Sequence, residues 1–372
     1  MEKNSKEATI IEKFFNSYGA DVECKEIYNS VNSTTYCLDL KLKTRITTIQ
    51  NLASEIQMYF NAIEVYFIKA INNTPYLGVQ VINNKKVNIE LCTILKSSKF
   101  QNINSEIPII LGEDYNGKLI IENLEELPHL LIAGTTGTGK STFLSSFIIS
   151  IINKKDPEEI KLICVDTRGT NLTRFNGIPH LIIPTITNIR EAIRTLIWIN
   201  YEMMNRYQLF NSITVDNIET YNEKGTFKLP RIVVIIEDFG DLMINPKEEV
   251  EESTRRVIQM SRAAGIHLII STQRPSTNVL TGTIKANLPA RISFKVPAQA
   301  DSKTILDVSG AEKLINIGDI LFLKTGSNNL KMIQTPFISD DEVKNIIDNI
   351  TKKNSANYNV DILNFITKTD TN

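Results

Sequence analysis

Apolar residues in the first 112 positions recur with two different spacings. In residues 1–20, Ile10, Ile11, Phe14 and Phe15 recur near helical spacing, which predicts an N-terminal helix. Residues 21–112 contain several strand-like runs around one helix-like stretch, a mixture that predicts a small α+β domain without catalytic residues. The predicted strands are Ser33–Leu40, Tyr76–Val81 and Lys86–Leu91, and the predicted helix is Ile49–Phe60.

From about Pro108 the pattern changes to short apolar runs that alternate with longer helical stretches. This alternation predicts an α/β fold with a mostly parallel sheet and helices on both of its faces. The predicted strands are Ile109–Gly112, Leu119–Ile121, the later part of Leu127–Ala133, Ile160–Val165, Ile232–Ile236, His267–Ser271, Arg291–Val296 and Asp319–Leu323. The predicted helices are Thr142–Ile152, Asn188–Phe210 and Lys247–Ala264, and the second carries Ile193, Leu196, Ile197, Tyr201 and Met204 on one apolar face.

Composition excludes some protein classes without indicating a partner. The 372 residues are 42% hydrophobic, enough for sizeable cores, and the formal net charge of −1 neither indicates nor excludes a nucleic-acid partner. No apolar run reaches about 18 residues and no signal peptide is recognisable, so no membrane span is expected. The four cysteines, Cys24, Cys37, Cys92 and Cys164, lack metal-site spacing, and we expect free thiols in a reducing cytoplasm.

The clearest motif is Gly134–Ser141, which fits the phosphate-binding pattern G-x-x-x-x-G-K-[ST] without a mismatch. It lies between a predicted strand and a predicted helix, the context that the pattern requires. Its glycines let backbone N–H groups turn toward a phosphate, Lys140 would reach the β- and γ-phosphates, and Ser141 would bind Mg²⁺. The sequence therefore predicts ATP and Mg²⁺ as ligands. The predicted nucleotide-binding residues are Gly134, Thr135, Thr136, Gly137, Thr138, Gly139, Lys140, Ser141 and Thr142.

A second group of polar residues follows the later predicted strands. Glu237 and Asp238 end one apolar strand, where we expect Glu237 on the Mg²⁺ side and Asp238 as the base. Gln273 follows the next strand and is the candidate for contact with the γ-phosphate or its water. Asp166 ends an earlier strand, and the sequence leaves open whether it caps a turn or contacts the nucleotide. The three arginines near element ends, each a candidate for reaching a neighbouring subunit, are Arg262, Arg274 and Arg291.

The motif series resembles the FtsK/SpoIIIE family of DNA translocases between about residues 127 and 314. The matching segments are Leu127–Gly134, Gly177–Leu181, Glu202-Met203 with Arg206-Tyr207, Tyr221-Asn222, Ser261–Leu268, Thr272–Pro275, Ile284–Asn287, Asp301–Asp307 and Gly310–Leu314. The resemblance implies a RecA-like ATPase motor, a homo-hexameric ring and double-stranded DNA as the partner. It also implies that the family's subunit-bridging arginine is Arg291, in the segment 289–294.

With this resemblance the chain divides into four predicted segments. Residues 1–20 form the helix, 21–112 a domain resembling the family's ring-stacking domain, 113–338 the RecA-like motor, and 339–372 a polar C-terminal helix and tail. The membrane helices and the C-terminal winged-helix domain of the family's chromosome-segregating members are not recognisable, which is typical of shorter members from plasmids, phages and conjugative elements. On this basis we expect a cytoplasmic protein, with any membrane or relaxase partner supplied in trans.

Two positions depart from the family's usual residues. The acidic pair is Glu237-Asp238 instead of Asp-Glu, and a displacement of about 1 Å at a catalytic group can cost on the order of 100-fold in rate, so slow hydrolysis is expected. The segment Asp166-Thr167-Arg168 replaces Asp-Pro-Lys and keeps one positive side chain.

Three functional hypotheses remain open at the level of sequence. The first is a translocase of double-stranded DNA driven by ATP hydrolysis. The second is a coupling ATPase of a conjugative DNA transfer system, and the third is an ATP-binding scaffold that no longer hydrolyses its ligand. The completeness of the motifs around Gln273 and Arg291 argues against the scaffold, and the sequence alone does not separate the first two hypotheses.

Overall fold

The structure is a computed structural model that describes residues 2–69, 71, 74–84, 87–244, 246–327 and 329–368. The chain divides into two compact units. The smaller comprises Met1–Ile89 and Gly112–Ile120, and the larger comprises Glu90–Leu111 and Ile121–Asn372. Residues 90–111 thus group with the larger unit, although the sequence assigned them to the smaller domain. The division at residues 20, 112 and 338 stays a prediction about separately folding segments.

In the smaller unit, helices cover one face of a four-stranded antiparallel sheet. Its strands are β1 (Val22–Asn29), β2 (Ser33–Leu40), β3 (Ala62–Ile68) and β4 (Leu77–Asn83), in the spatial order β1-β2-β4-β3. Its helices are α1 (Glu2–Ser17), α2 (Ile46–Asn51) and α3 (Ala53–Phe60). The predicted helix over 49–60 is therefore two helices that meet at Leu52. Phe15, Ile49 and Ile56 are fully buried in the same core as strands β2 and β4.

One predicted strand is absent from the described residues of this region. In Lys86–Leu91, Lys86 lies outside the described residues, 87–89 have no regular structure, and Leu91 begins a helix. The predicted strands over 33–40 and 76–81 are confirmed.

The larger unit alternates strands and helices as predicted. Two strands, β5 (Pro108–Asp114) and β6 (Leu119–Asn123), lie partly in this unit and partly in the segment 112–120 of the smaller one. The other strands of the larger unit are β7 (Leu130–Ala133), β8 (Ile160–Asp166), β9 (Arg231–Glu237), β10 (Ile266–Thr272), β11 (Ala290–Ser293), β12 (Asp319–Leu323) and β13 (Leu330–Gln334). Its helices are α4 (Leu91–Lys96), α5 (Ser98–Gln101), α6 (Lys140–Lys154), α7 (Ile189–Ser212), α8 (Ile218–Lys224), α9 (Phe239–Leu242), α10 (Lys247–Met260), α11 (Gly282–Asn287), α12 (Gln299–Leu306), α13 (Asp340–Lys353) and α14 (Val360–Thr367).

Nine strands form one mixed sheet in the order β6-β5-β13-β12-β11-β7-β10-β9-β8. The five strands from β11 to β8 pair in parallel, and their buried apolar runs are typical of strands covered on both faces. β12 pairs antiparallel with both β11 and β13. The predicted parallel sheet is therefore confirmed for the five strands from β11 to the β8 edge, and antiparallel pairing extends the sheet beyond β11.

Parallel register brings the ends of four strands to one edge of the sheet. Thr272 pairs with Ala133, and Asp166 pairs with Glu237. Because parallel strands end together, the residues that follow β7, β8, β9 and β10 lie on the same edge. This edge carries Gly134–Ser141 and the polar residues identified after the other strands.

The buried face of α7 differs from the predicted one. Ile193 and Leu196 are buried as expected, but Ile197, Tyr201 and Met204 are 38–62% exposed. The buried stripe continues through Ile199, Met203, Arg206 and Phe210. It includes Arg206, whose guanidinium donates to the Ala264 carbonyl at 2.9 Å and to Glu202 at 2.8 Å. Because the buried stripe includes the charged Arg206, the pattern of apolar residues alone indicated the wrong face of α7.

The C-terminal region is more than a polar helix and tail. Ser339 and Glu342 form a capping box at the start of α13. A further helix, α14, buries Ile362 and Ile366 in the core that includes residues of α7. The prediction of a polar tail is therefore wrong for 360–367, because five of the eight residues of α14 are apolar and two of them, four residues apart, are buried.

Two histidines are buried between the starts of β7 and β10. His129 Nδ1 accepts a hydrogen bond from the Leu268 N–H at 3.0 Å, and His267 Nδ1 lies 2.9 Å from the Pro128 carbonyl. Their ring centres are 6.5 Å apart. Burial lowers the pKa of His129 to about 3 and that of His267 to about 4. Both rings are therefore neutral in the folded protein at neutral pH.

This pair predicts a loss of stability in mild acid. As pH falls below the ordinary histidine pKa of 6.5, the unfolded chain gains protons that the buried rings do not. The free energy of unfolding should therefore fall by up to about 1.4 kcal/mol per pH unit for each histidine, down to about pH 4. In His267→Asn the side-chain amide can still donate to Pro128, and we expect a shallower slope. Urea unfolding from pH 8 to pH 4 measures both proteins, and equal slopes would refute the assignment.

Candidate active site

The loop between β7 and α6 has the backbone conformation of a phosphate cradle. Gly134, Gly137 and Gly139 have φ of +152°, +78° and +104°. A Cβ at Gly134 would lie 2.5 Å from the Phe294 Cβ, so only glycine fits there. Thr135 is fixed by two 3.1 Å hydrogen bonds, from its backbone N–H and its hydroxyl, to the Lys295 carbonyl. The loop is thus held against the segment that follows β11.

Lys140 begins α6 and folds back over this loop. Its ammonium donates to the Gly134 carbonyl at 2.5 Å and to the Thr135 carbonyl at 2.8 Å. The residue is 5% exposed, and burial lowers the pKa of its amine to about 8, although Asp238 and Glu237 act in the opposite direction. The cation is therefore held at the loop itself, where it can transfer its hydrogen bonds to a bound phosphate.

Ser141, Glu237 and Asn171 form a triangle of polar contacts beside the loop. The Ser141 hydroxyl lies 3.1 Å from Glu237 Oε1. The Asn171 side-chain amide donates to Ser141 Oγ at 3.0 Å and to Glu237 Oε1 at 2.8 Å. The structure thus joins the two predicted metal-side residues. It adds Asn171, a residue that no motif had indicated.

The chemistry of Ser141 and Glu237 fits Mg²⁺. Burial and the neighbouring Asp166 raise the pKa of Glu237 to about 7, and its Oε2 is buried without a hydrogen-bond partner. A buried carboxylate oxygen beside a hydroxyl is a donor set for a hard cation, which would satisfy that oxygen. Across the described residues, no group of three His, Cys, Asp or Glu side chains could hold a metal.

A second chain of contacts joins the loop to Asp238. The Thr136 hydroxyl donates to Gln273 Oε1 at 2.5 Å, and Gln273 Nε2 donates to Asp238 Oδ2 at 3.0 Å. The same carboxylate oxygen accepts from the Arg168 guanidinium at 3.1 Å. Asp238 adopts a left-handed conformation, with φ of +56°, as the chain leaves β9. The structure therefore brings Gln273 and Asp238 to the phosphate loop, as the sequence predicted.

Asp166 organises the loop after β8. Its carboxylate accepts hydrogen bonds from the backbone N–H groups of four loop residues, at 2.8–3.2 Å; these are Arg168, Gly169, Asn171 and Leu172. Of the two roles left open by the sequence, Asp166 fills the turn-capping one in this structure. Its loop delivers Arg168 to Asp238 and Asn171 to Glu237.

The structure does not bring Arg291 to the phosphate loop. Its guanidinium is 9% exposed and is paired with Asp307 at 2.5 Å. It also donates to the carbonyls of Leu288, Ile305 and Lys285. In this chain Arg291 ties β11 to the end of α12. Arg262 and Arg274 are exposed, and Arg274 directly follows Gln273.

The close approach of Gly134 to Phe294 predicts that one added methyl group will weaken nucleotide binding. Gly134→Ala should weaken binding of a fluorescent ATP analogue by about 5- to 150-fold, the equivalent of about 1–3 kcal/mol of local strain. Gly282→Ala is the matched control, because a Cβ there meets nothing within 4 Å. Gly134→Ala protein that binds the analogue as tightly as the control would contradict the geometry.

Comparisons with known proteins agree with the geometry. The FtsK/SpoIIIE family model matches residues 90–277, about half of the chain. The DNA translocase FtsK of Clostridium tetani is 40% identical over 351 residues, which cover 93% of this chain and 47% of that protein. The DNA translocase SpoIIIE of Bacillus subtilis is 37% identical over 363 residues, or 95% of this chain and 46% of that protein. The chain therefore spans about half the length of these curated relatives.

The fold is shared with a solved structure of lower identity. The conjugation coupling protein TcpA of pCW3, solved with ATPγS, superposes with a TM-score of 0.64 at 22% identity. The superposition covers 95% of this chain and 99% of that one. No helix within the described ranges is both long and apolar enough to cross a bilayer. The phosphate loop, the carboxylates of β9 and the family match lead to one conclusion: the chain belongs to the FtsK/SpoIIIE family.

Proposed function

We propose that this chain is the RecA-like motor of an ATP-driven translocase of double-stranded DNA, acting as a cytoplasmic homo-hexameric ring. One observation carries this proposal: beside one phosphate loop, Ser141 is hydrogen-bonded to Glu237 and Gln273 is hydrogen-bonded to Asp238. The names of the FtsK and SpoIIIE relatives support DNA translocation. The parallel order β11-β7-β10-β9-β8, with one strand between the phosphate-loop strand and the Glu237 strand, supports a RecA-like core.

In the proposed reaction the loop over 134–139 binds the phosphates of ATP through its backbone N–H groups. Lys140 moves its hydrogen bonds from Gly134 and Thr135 to the β- and γ-phosphates. Ser141 and Glu237 would hold Mg²⁺, and the bound ion would supply positive charge beside the phosphate oxygens. Gln273 orients a water toward the γ-phosphorus, and Asp238 accepts its proton as the bond to ADP breaks.

The exchanged order of Glu237 and Asp238 still leaves each carboxylate in contact with a suitable partner. Glu237, the longer side chain, lies within 3.1 Å of the Ser141 hydroxyl, and Asp238 reaches Gln273 at 3.0 Å. The left-handed backbone at Asp238 turns the shorter side chain toward the loop. These contacts support a hydrolytically competent site despite the exchanged order.

We propose that Arg291 takes the family's subunit-bridging role once the ring has assembled. That role requires the guanidinium to leave Asp307 and three backbone carbonyls on assembly. Arg274 needs no such release, since it is exposed beside Gln273. A membrane or relaxase partner supplied by another chain remains part of the alternative, a conjugative coupling ATPase. The likeness to TcpA, at 22% identity, supports the shared fold and not that role.

The proposed function predicts ATP hydrolysis that depends on duplex DNA. We expect long double-stranded DNA to stimulate steady-state ATPase activity at least tenfold over no DNA, with Lys140→Ala as the inactive blank. Stimulation should weaken as salt rises, because a motor that follows the backbone binds phosphates. A preference for single-stranded DNA would favour the coupling role instead. ATP binding without turnover on any DNA would favour the scaffold.

Asp238 should affect turnover more than binding. Asp238→Asn keeps the shape but cannot accept a proton, and we expect kcat to fall by about 100- to 10,000-fold with little change in ATP affinity. Asp241→Asn is the matched control, since Asp241 also faces Arg168, at 3.6 Å, but is not joined to Gln273. Equal rates for the two variants, measured with duplex DNA, would remove Asp238 from the role of base.

A further inference from the structure

The loop that follows β8 contacts both members of the acidic pair at the end of β9, Glu237 and Asp238. We refer to Asp166–Leu172 as the Asp166 loop, since the Asp166 carboxylate accepts four of its backbone N–H groups. Two of its side chains point to different carboxylates. Arg168 pairs with Asp238 at 3.1 Å, and Asn171 donates to Glu237 at 2.8 Å.

The Asn171 amide has the chemistry that this position requires. Its NH₂ group carries two hydrogens, one for Ser141 Oγ at 3.0 Å and one for Glu237 Oε1 at 2.8 Å. Because the amide donates to the Ser141 oxygen, the Ser141 hydroxyl proton is directed to Glu237, 3.1 Å away. The Ser141 oxygen and the second Glu237 oxygen, which is buried without a partner, then remain available to a cation.

We propose that Asn171 is a positioning residue for the metal-side pair, fixing Ser141 and Glu237 in the arrangement that accepts the Mg²⁺ of bound ATP. This inference rests on the proposed function only in taking ATP with Mg²⁺ as the ligand. Residues that hydrogen-bond to metal ligands fix the orientation of those ligands, and their loss typically costs 10- to 100-fold in metal affinity. Asn171 touches neither reacting atom and acts through Ser141 and Glu237.

The backbone of the loop does not depend on this amide. Asp166 holds the turn through main-chain groups, including the Asn171 N–H at 2.8 Å, and these bonds persist when the side chain changes. Removal of the Asn171 side chain should therefore loosen Ser141 and Glu237 while leaving the loop in place. This separation makes the role testable by substitution.

Two substitutions separate the positioning role from direct metal binding. Asn171→Ala removes both donated hydrogen bonds. Asn171→Asp keeps the shape but offers no amide hydrogens, and it adds a carboxylate beside Glu237 and Asp166. If Asn171 positions the pair by donating, both variants should bind metal more weakly. If position 171 acts as a ligand, the aspartate variant should bind metal more tightly.

The test measures metal binding without DNA. Mn²⁺ is titrated into the 372-residue chain with a non-hydrolysable ATP analogue, and free Mn²⁺ is followed by electron paramagnetic resonance. We expect Asn171→Ala and Asn171→Asp to raise the Mn²⁺ dissociation constant at least tenfold. Analogue affinity in EDTA and the thermal unfolding temperature should stay near wild-type values. Asn176→Ala is the matched control, because Asn176 accepts only from the Thr185 N–H in the neighbouring segment and should bind Mn²⁺ as wild type does.

Unchanged Mn²⁺ affinity in Asn171→Ala, or tighter binding in Asn171→Asp, would overturn the positioning role. Because the measurement contains no DNA and no turnover, its outcome is independent of DNA-stimulated hydrolysis. Protein that binds Mn²⁺ and nucleotide as expected but shows no response to duplex DNA would sink the proposed translocase and leave the role of Asn171 intact.

Discussion

Parallel pairing in one register is the constraint on which the whole site depends. Hydrogen bonds between the strands align Thr272 with Ala133 and Asp166 with Glu237, so four chain segments leave the sheet together. A slip of one residue would turn each side chain to the opposite face, and no local motif could restore the contacts. The glycines of the loop and the acidic pair act as a site because the sheet sets their positions relative to each other. The buried apolar strands thus have a chemical role as well as a structural one.

Much of this arrangement could be predicted from sequence because its signals are local. The phosphate loop is a contiguous pattern, and Glu237, Asp238 and Gln273 directly follow apolar strands. The errors arose where the deciding contact is distant. Arg206 is buried on α7 because the Ala264 carbonyl, 58 positions away, accepts from it, and α14 packs on a helix about 170 positions earlier. The pairing of Arg291 with Asp307 depends on where α12 ends.

Asn171 shows the limit of motif-based prediction within the site itself. It lies five residues beyond the end of β8 in a loop whose conformation is set by Asp166. The only available signal was a polar residue downstream of a strand end, which is common to most loops of α/β proteins. The exchanged order of Glu237 and Asp238 also could not be interpreted from sequence alone. Sequence comparison marks it as a departure, whereas distances show each carboxylate beside a suitable partner.

The hydrogen bonds from Lys140 to the Gly134 and Thr135 carbonyls have a consequence for the energetics of nucleotide capture. The ammonium of the protein already stabilises the curved backbone that the phosphates require, so the chain loses little conformational entropy when ATP arrives. The cationic side chain then has only to exchange one set of acceptors for another. In the proposed motor, the same exchange in reverse would let product depart without collapse of its binding loop. The phosphate loop is thereby preorganised for its ligand.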